Sequence, residues 1–460
     1  MGRFVRGTLA LLLLWSGAGC ASGTGTLESP TGVASDSSRS GYVPDMDPSG
    51  VYRAAGMLVQ GSAPSFVGDV SFLGAGSADS TIVLVKIALA NSSLHFRPDS
   101  TLRRAGYTVS LGFSREGSDS AVVRVESHEA VRVASPRETS ASTPDIIFQH
   151  FVRLPPATYT MSVRVRDERA PEAESLRASL VVPRLGASSL SSIVPVFDVT
   201  PRESVDSMPA LVANPVATVV FGRDSLAQVY LEGYALPAPA RLSIAVLNDA
   251  GQPVLRDSVV LVERRPVAAL VREVPVARIG PGRFTMVASL AGSADSVRTP
   301  LFVSFGDGIG VASFDELIER LRYFATPEQL RALGATPPAK RAAVWAGFLK
   351  ETDPDPGTTE HERLRDYFER IAIANQHFSG EGVEGWRTDR GKVYVALGEP
   401  DRVLTDDDRG TGTRATSQLW EYDDYELRLV FMSDVGFDQW RLTSRSELDF
   451  ERALQRARLH

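Results

Sequence analysis

The hydrophobic pattern changes once along the main part of the chain, and the change separates two kinds of predicted structure. Between about residues 51 and 305, apolar residues occur in short runs that are separated by turns rich in Gly, Pro, Asp and Ser. Thr81–Leu89 and Ala227–Tyr234 are typical of these runs, which predict β-strands. After Gly306-Asp307-Gly308 the apolar residues recur every three or four positions, which predicts helices.

The β-rich part predicts two antiparallel sandwiches. Residues 51–186 and residues 187–306 each contain enough short strand candidates for an Ig-like β-sandwich, and we expect about seven strands in the second. The stretch Gly186–Ser192 is rich in Gly and Ser and marks the joint between them. Asn248-Asp249-Ala250-Gly251 predicts one of the hairpin turns.

Residues 312–460 predict an α+β domain in which helices pack on a small antiparallel sheet. Four helices are expected first, and their apolar stripes predict a core rather than a binding surface. Capping boxes or an early Pro mark their starts, at Ser313, Thr326, Thr336 and Thr359.

The small sheet is predicted to follow these helices. The apolar run Lys392–Leu397 predicts its first strand, which ends at Gly398. Further strands are predicted at residues 417–422, 426–432 and 439–443, and a last helix at residues 447–458. The acidic, Gly-rich segment Asp406–Thr413 predicts a solvated loop.

Composition and charge narrow the classes of function. The chain has 460 residues, of which 43% are hydrophobic and 23% charged, and these values are typical of a soluble protein with several domains. Its net charge is −7, and the acidic excess lies in residues 312–460, which carry 28 Asp and Glu against 21 Lys and Arg. Binding to nucleic acid favours a basic face, so we expect no nucleic-acid partner.

Residues 1–20 have the features of a lipoprotein signal peptide. Arg3 and Arg6 precede the apolar run Leu9–Trp15, which is too short to span a bilayer. Gly17-Ala18-Gly19 then leads into Cys20, the one cysteine of the chain. The pattern resembles a bacterial lipobox, which implies that Cys20 is lipidated. An ordinary signal peptide with cleavage nearby is the alternative.

Residues 21–50 predict a flexible tether between this anchor and the folded domains. Gly, Ser, Thr, Pro and Asp dominate the segment, so it has too few apolar residues to form a core. Ala21 after Cys20 resembles the sorting pattern of outer-membrane lipoproteins. The resemblance implies a protein that is held to the outer membrane by lipid and faces the periplasm.

The most distinctive stretch is Gly385–Asp401, which reads GWRTDRGKVYVALGEPD. It resembles the signature of the GWxTD domain family, which occurs in bacterial envelope proteins, often behind β-rich domains. The resemblance extends over about residues 312–459 and implies no particular reaction. The matching residues are Gly385, Trp386, Thr388, Asp389, Arg390, Gly391, Gly398, Pro400 and Asp401.

The residue types in this stretch favour a structural role. Thr388 and Asp389 can accept backbone N–H bonds in a turn, and Arg390 can form an ion pair with Asp389, Asp401 or Asp434. We expect Trp386 to be buried between the fourth helix and the small sheet. The alternative is that Asp389, Arg390 and Asp401 line a functional site.

The sequence offers no established motif for a cofactor, a metal or a catalytic centre. It contains no Walker A, GxSxG or HExxH pattern. His361 and His377 lack the companions of a zinc site, and Asp406-Asp407-Asp408 lacks the spacing of an EF-hand loop. We therefore expect neither cofactor nor metal, and the sequence favours a protein that is not an enzyme without deciding the question.

These features together predict an envelope lipoprotein that works by contact with one or more envelope proteins, as a scaffold or assembly component. Two alternatives remain open. One is an envelope hydrolase with its site in the C-terminal domain, and the other is a carbohydrate-binding module in the sandwiches.

Replacing Cys20 with Ser is expected to release the protein from membranes, because Ser has no thiol to carry the lipid. Partition between the aqueous and detergent phases of a cloud-point detergent measures the effect. Ser22→Ala is the control and is expected to stay in the detergent phase. Detergent partition of the Cys20→Ser protein equal to that of the control would contradict lipidation.

Overall fold

The structure is a computed structural model that describes residues 49–458, apart from residues 119, 142–143, 171–172, 263–265, 294–295, 306–311, 356, 358–360, 380–381, 408–415 and 434–438. Two β-sandwiches are followed by a region of helices and a small antiparallel sheet, so the predicted fold class is confirmed. The predicted signal peptide and almost all of the predicted tether lie outside the described residues. In the part of the chain that is described, no helix is both long and apolar enough to cross a membrane.

The first sandwich packs two antiparallel sheets around one core. One sheet has the order β1-β2-β3-β7, and the other has the order β4-β5-β8-β9 with β6 also paired to β5. A short helix precedes them. The elements are α1 Ser49–Ala54, β1 Leu58–Gln60, β2 Phe66–Gly74, β3 Thr81–Leu89, β4 Arg97–Asp99, β5 Leu102–Arg115, β6 Ala121–Val133, β7 Ile146–Leu154, β8 Ala157–Asp167 and β9 Ser175–Val182.

The second sandwich also has two sheets. One has the order β10-β14-β11-β12 with β17 also paired to β14, and the other has the order β13-β19-β18-β15-β16. It has more strands than predicted, because β10 to β12 were not expected: β10 and β12 are short, and β11 is interrupted by a bulge after Val196. The elements are β10 Ser189–Leu190, β11 Val194–Thr200, β12 Ala210–Ala213, β13 Thr218–Val220, β14 Leu226–Tyr234, β15 Ala240–Asn248, β16 Pro253–Leu261, β17 Val267–Pro275, α2 Val276–Ile279, β18 Gly282–Leu290 and β19 Ser296–Ser304.

The two sandwiches stack face to face through strand β3. This strand is buried along its whole length. Val85 and its alternate neighbours face the core of the first sandwich, whereas Leu84 on the opposite face packs with Val194 and Tyr230 of the second. Because strand side chains alternate between faces, a strand buried on both sides is apolar at nearly every position. The four sheets therefore form one continuous stack.

A buried ion pair joins the two sandwiches. The Arg202 and Glu232 side chains are 2% and 0% exposed, and Arg202 Nε donates to Glu232 Oε1 at 2.7 Å. The hydroxyls of Tyr230 and Tyr234 donate to the same carboxylate. Arg202 Nη2 donates to the carbonyl of Gly74 in β2 at 2.6 Å. The carboxylate thus has several donors, and the guanidinium reaches across to the first sandwich.

A second polar contact fixes the register between the sandwiches. Gln149 of β7 donates to the carbonyl oxygen of Leu211 at 2.7 Å and accepts from the amide of Ala213 at 2.9 Å. Both partners belong to β12, so one side-chain amide satisfies two backbone groups of the facing sheet. Gln149 is partly buried, and a polar group that is paired in this way costs little free energy to bury.

The C-terminal region has two hydrophobic clusters, one among the helices and one between α7, α8 and the sheet. Its small sheet has the order β20-β21-β22-β23. The elements are α3 Phe314–Arg320, α4 Pro327–Gly334, α5 Pro338–Thr352, α6 Glu362–His377, α7 Asp389–Leu397, β20 Arg402–Asp407, β21 Thr416–Tyr422, β22 Leu427–Ser433, β23 Trp440–Leu442 and α8 Ser444–Ala457.

Several predicted helix starts in this region are confirmed. Ser313 and Thr326 each form a capping box, with Glu316 and Gln329 respectively. The fourth helix begins at Glu362 and is capped by His361, while Thr359 lies outside the described residues.

The prediction of a strand at Lys392–Leu397 is wrong, because these residues form the end of helix α7. The run is apolar because the helix is buried on two sides. Val395 packs in the cluster of helices, whereas Val393 and Leu397 pack in the cluster of the sheet. Burial on both sides removes the polar face that would have shown the helical period.

The C-terminal region is attached directly to the second sandwich. Phe305, just after β19, packs edge-on against Trp345 of α5, with ring centroids 5.5 Å apart. An ion pair of 3.0 Å links Arg283 of β18 to Glu316 of α3. These contacts extend the helical core onto the end of the sandwich.

Replacing Glu232 with Gln is expected to reduce the free energy of unfolding by about 3–5 kcal/mol, because it leaves the buried guanidinium of Arg202 without its countercharge. Urea unfolding followed by circular dichroism measures the change. The control is Glu273→Gln on the paired strand β17, where the side chain is exposed. Equal stability of the two variants would show that the buried pair does not hold the stack together.

Candidate functional site

The GWxTD stretch Gly385–Asp401 follows helix α6 and contains the whole of helix α7. Gly385, Trp386 and Arg387 form one turn of 3-10 helix. A Cβ atom on Gly385 would overlap the carbonyl oxygen of Ala374 in α6. Only glycine therefore lets this turn lie against the end of α6.

Trp386 is buried, as predicted, with 1% of its surface exposed. Its position differs from the prediction, because it packs in the cluster of helices rather than against the sheet. Its backbone amide donates to Oδ1 of Asn375 at 3.0 Å, and its indole Nε1 donates to Oε2 of Glu384 at 2.8 Å. The ring is thus fixed at its backbone and at its polar edge.

Two guanidinium groups cover the Trp386 ring. Arg322 and Arg387 lie 5.2 Å and 5.0 Å from its centroid. Arg387 also pairs with Glu384 at 2.6 Å and with Glu319 at 3.0 Å. These cation–π contacts shield the indole ring from solvent, and the ion pairs satisfy the carboxylates of Glu319 and Glu384 beside it.

Thr388 starts helix α7. Its hydroxyl donates to the carbonyl of Gly385 at 2.8 Å and accepts from the amide of Gly391 at 3.0 Å. A Cβ atom on Gly391 would overlap the carbonyl oxygen of Gly385. The N-cap therefore depends on a hydroxyl at residue 388 and on a glycine at residue 391.

Asp389 connects the start of α7 to the small sheet. One carboxylate oxygen accepts from the amide of Leu442 in β23 at 2.8 Å, and the other pairs with Lys392 at 2.9 Å. Burial alone would lower the pKa of Lys392, but the hydrogen bond and charge of Asp389, together with Glu447, raise it above its ordinary value. The negative charge also lies at the helix N-terminus, where it is stabilised.

The guanidinium of Arg390 lies between two aromatic rings. It is 5.3 Å from the centroid of Phe378, just after α6, and 4.9 Å from that of Trp440 in β23. This arrangement brings the end of α6 towards the sheet. The predicted partner Asp434 lies outside the described residues.

The end of α7 is shaped by the second half of the stretch. Gly398 has a φ of 89° and caps the helix, and its carbonyl accepts from the Tyr422 hydroxyl at 3.1 Å. Pro400 follows and is partly buried. Asp401 accepts from the amide of Asp423 at 2.7 Å and so orients the turn after β21.

The structure does not gather the three candidate site residues in one place. Asp389 and Arg390 lie in the first turn of α7, whereas Asp401 follows its C-terminus. A helix of this length is about 13 Å long. Each of the two carboxylates bonds a backbone amide of the sheet region. The geometry supports a structural role for the stretch.

Sequence reasoning missed Asn375 and Glu384, which hold Trp386, because neither lies in a recognisable motif. It also missed a signal that was present. A helix start could have been recognised at Thr388, because its hydroxyl can cap a helix and Asp389 puts an acidic residue in the first turn.

The two candidate histidines lie at opposite ends of helix α6. Nδ1 of His361 accepts from the amide of Leu364 at 3.1 Å, and burial lowers the pKa of this imidazole. His377 is the last residue of α6. Among the residues that the structure describes, no group of three or more His, Cys, Asp or Glu side chains could hold a metal ion.

The outer face of the small sheet carries an apolar row that is exposed at its edge and partly buried further in. Leu404, Leu419 and Val430 lie opposite one another on β20, β21 and β22. Their alternate neighbours, Trp420 and Leu429, face the core. Leu404 is 55% exposed, and β20 is the edge of the sheet as far as the structure describes it.

Residues 309–442 match the family model described as the GWxTD domain. No curated protein matches the chain.

Solved structures match at low similarity. They include trypsin-activated alpha-2-macroglobulin from Escherichia coli, with 10% identity over 54% of this chain and 17% of that one and a TM-score of 0.19. Dimeric latent PorU from Porphyromonas gingivalis has 9% identity over 56% and 21%, with a TM-score of 0.24. The FN1–FN3 domains of chicken CNTN1 have 13% identity over 52% and 66%, with a TM-score of 0.14. The chain spans about a fifth of the length of the first two.

Trp386→Ala is expected to destabilise the C-terminal region by about 3–5 kcal/mol, because it removes a fully buried aromatic ring. Thermal unfolding followed by tryptophan fluorescence and limited proteolysis measures this, and we expect both sandwiches to stay protease-resistant. The control is Phe197→Ala, which removes an exposed aromatic ring from β11 of the second sandwich. An unchanged melting temperature of the Trp386→Ala protein would show that the ring does not stabilise the domain.

Proposed function

The chain belongs to the GWxTD domain-containing family through residues 309–442, and we propose that it acts as a protein-interaction scaffold of the bacterial cell envelope. In this proposal the GWxTD stretch lies inside the domain and holds the helices to the small sheet. Contact with a partner protein is then made by the surface of the small sheet.

The hydrogen bonds of the stretch support a structural role for it. The Thr388 hydroxyl bonds backbone groups of the turn, and the Asp389 and Asp401 carboxylates bond backbone amides of the sheet region. The indole of Trp386 is buried and bonded to Glu384. Groups that are committed in this way are poorly placed to act on a substrate.

The apolar row on the outer face of the sheet, which is exposed at Leu404, is the observation that carries the proposal. An open edge strand with exposed Val403 and Leu404 offers backbone groups for a further strand and apolar surface for its side chains. The next row, Arg402-Glu421-Arg428, is joined by ion pairs of 3.5 Å and 2.8 Å. We propose that an extended segment of an envelope protein pairs with β20, with its apolar side chains on Leu404.

The first residues of the sequence support a location for this contact. We propose that lipid on Cys20 anchors the chain in the outer membrane and that residues 21–50 let the folded domains extend into the periplasm. Ala21 after Cys20 supports outer-membrane sorting over retention in the inner membrane.

The test is capture of partners by the full chain from detergent-solubilised envelopes, quantified by mass spectrometry. Leu404→Lys is expected to lower capture of a specific partner at least about tenfold, because it introduces a charge where apolar surface should be buried. Leu448→Lys is the matched control, since Leu448 is a 63% exposed leucine on α8. The control is expected to capture the partner normally.

Two results would contradict the proposal. One is equal capture by the Leu404→Lys protein and the control. The other is turnover of a substrate from a hydrolase panel by the wild-type chain that is lost in a variant of the C-terminal domain, which would favour the enzyme.

A further inference from the structure

The outer face of one sheet of the first sandwich is rich in arginine. Strands β8 and β6 both pair with residues 107–114 of β5 and therefore lie on opposite sides of it. Residues such as Val109 and Leu111 face the core, so their alternate neighbours face outwards. Outward positions on these strands and on β9 are occupied by Arg104, Arg124, Arg132, Arg164, Arg166 and Arg177.

Small residues separate these arginines. The outward residues of the middle strand β5 from 106 to 114 are Gly, Thr, Ser, Gly and Ser. In one row, Arg177 of β9 and Arg124 of β6 stand at the two ends, with Ser162 and Gly112 between them. Four neighbouring strands span about 14 Å. The small residues of β5 and β8 therefore form a shallow trough that runs along β5, with an arginine on each side.

Arginines outnumber carboxylates on this face. Arg124, Arg164, Arg166 and Arg177 have no ion-pair partner within the described ranges. The carboxylates of the face are Glu126, which lies 3.4 Å from His128, Asp99, which pairs with Arg132 at 3.3 Å, and Glu168, which lies over Gly106 at one end of the face. In a chain of net charge −7, such a concentration of arginine favours an external anion.

The surroundings of these arginines indicate what kind of anion fits. Guanidinium groups bind carboxylates through two parallel hydrogen bonds, and hydroxyls such as those of Ser110, Thr160 and Ser162 can bond the hydroxyls of a sugar. The middle of the face has no aromatic or long aliphatic side chain. The exposed Val122 and Val181 lie at one end of it. An apolar anchor, which membrane insertion and protein hot spots both use, is therefore missing from the centre.

We propose that this face binds an acidic polysaccharide, with its carboxylates on Arg124, Arg164 and Arg177 and its chain along the trough of β5. The site is far from β20 in the chain and is independent of the proposed protein contact. It gives the sandwich a ligand of its own, a sugar polymer that carries regular negative charge.

The test is binding of the full chain to polygalacturonate, measured by isothermal titration calorimetry at low salt. We expect binding that weakens as salt is added, and no binding to dextran, a neutral polysaccharide. The double variant Arg164→Gln/Arg177→Gln is expected to bind at least about tenfold more weakly. Arg124→Gln on the opposite side of the trough is a second, independent variant and is expected to weaken binding as well.

The matched control is Arg241→Gln/Arg256→Gln, which removes two exposed arginines from β15 and β16 of the second sandwich. It is expected to bind as the wild type does. An equal loss in the control, equal binding of dextran, or tighter binding to phosphatidylglycerol vesicles than to polygalacturonate would each overturn the proposal. The last result would identify the face as a membrane contact.

Discussion

The architecture depends on two elements that are buried on both sides, strand β3 and helix α7. β3 lies between the cores of the two sandwiches, and α7 lies between the helical cluster and the sheet cluster of the C-terminal region. Each satisfies its backbone hydrogen bonds within its own sheet or helix and can therefore be apolar all round. The neighbouring layers are positioned by packing against these two elements.

The GWxTD stretch is the means by which α7 is held in this central position. Gly385 and Gly391 allow three backbone segments to meet where a side chain would overlap a carbonyl oxygen. Trp386 then fixes the turn to the helices, and Asp389 fixes the start of α7 to β23. A motif can thus be distinctive in sequence because of what it holds together, without taking part in a reaction.

Much of the fold could be predicted from the sequence, because strands that face solvent on one side and helices with capping boxes leave a visible period. The element that was predicted wrongly, Lys392–Leu397, lacks that period because it is buried on both sides. The burial of Trp386 was predictable from its residue type, but its partners Asn375 and Glu384 were not. The arginine face required the register of four strands, since its residues are far apart in the chain.

The stacking of the sandwiches has a consequence for how the chain opens. The connection between Val182 and Ser189 looks like a boundary between domains, but Ile82 and Leu84 of the first sandwich are fully buried against the second. Separation at that boundary would expose this apolar face and the charges of Arg202 and Glu232 to water at the same time. The two sandwiches should therefore exchange their core amide hydrogens as a single cooperative unit, although their strands belong to separate sheets.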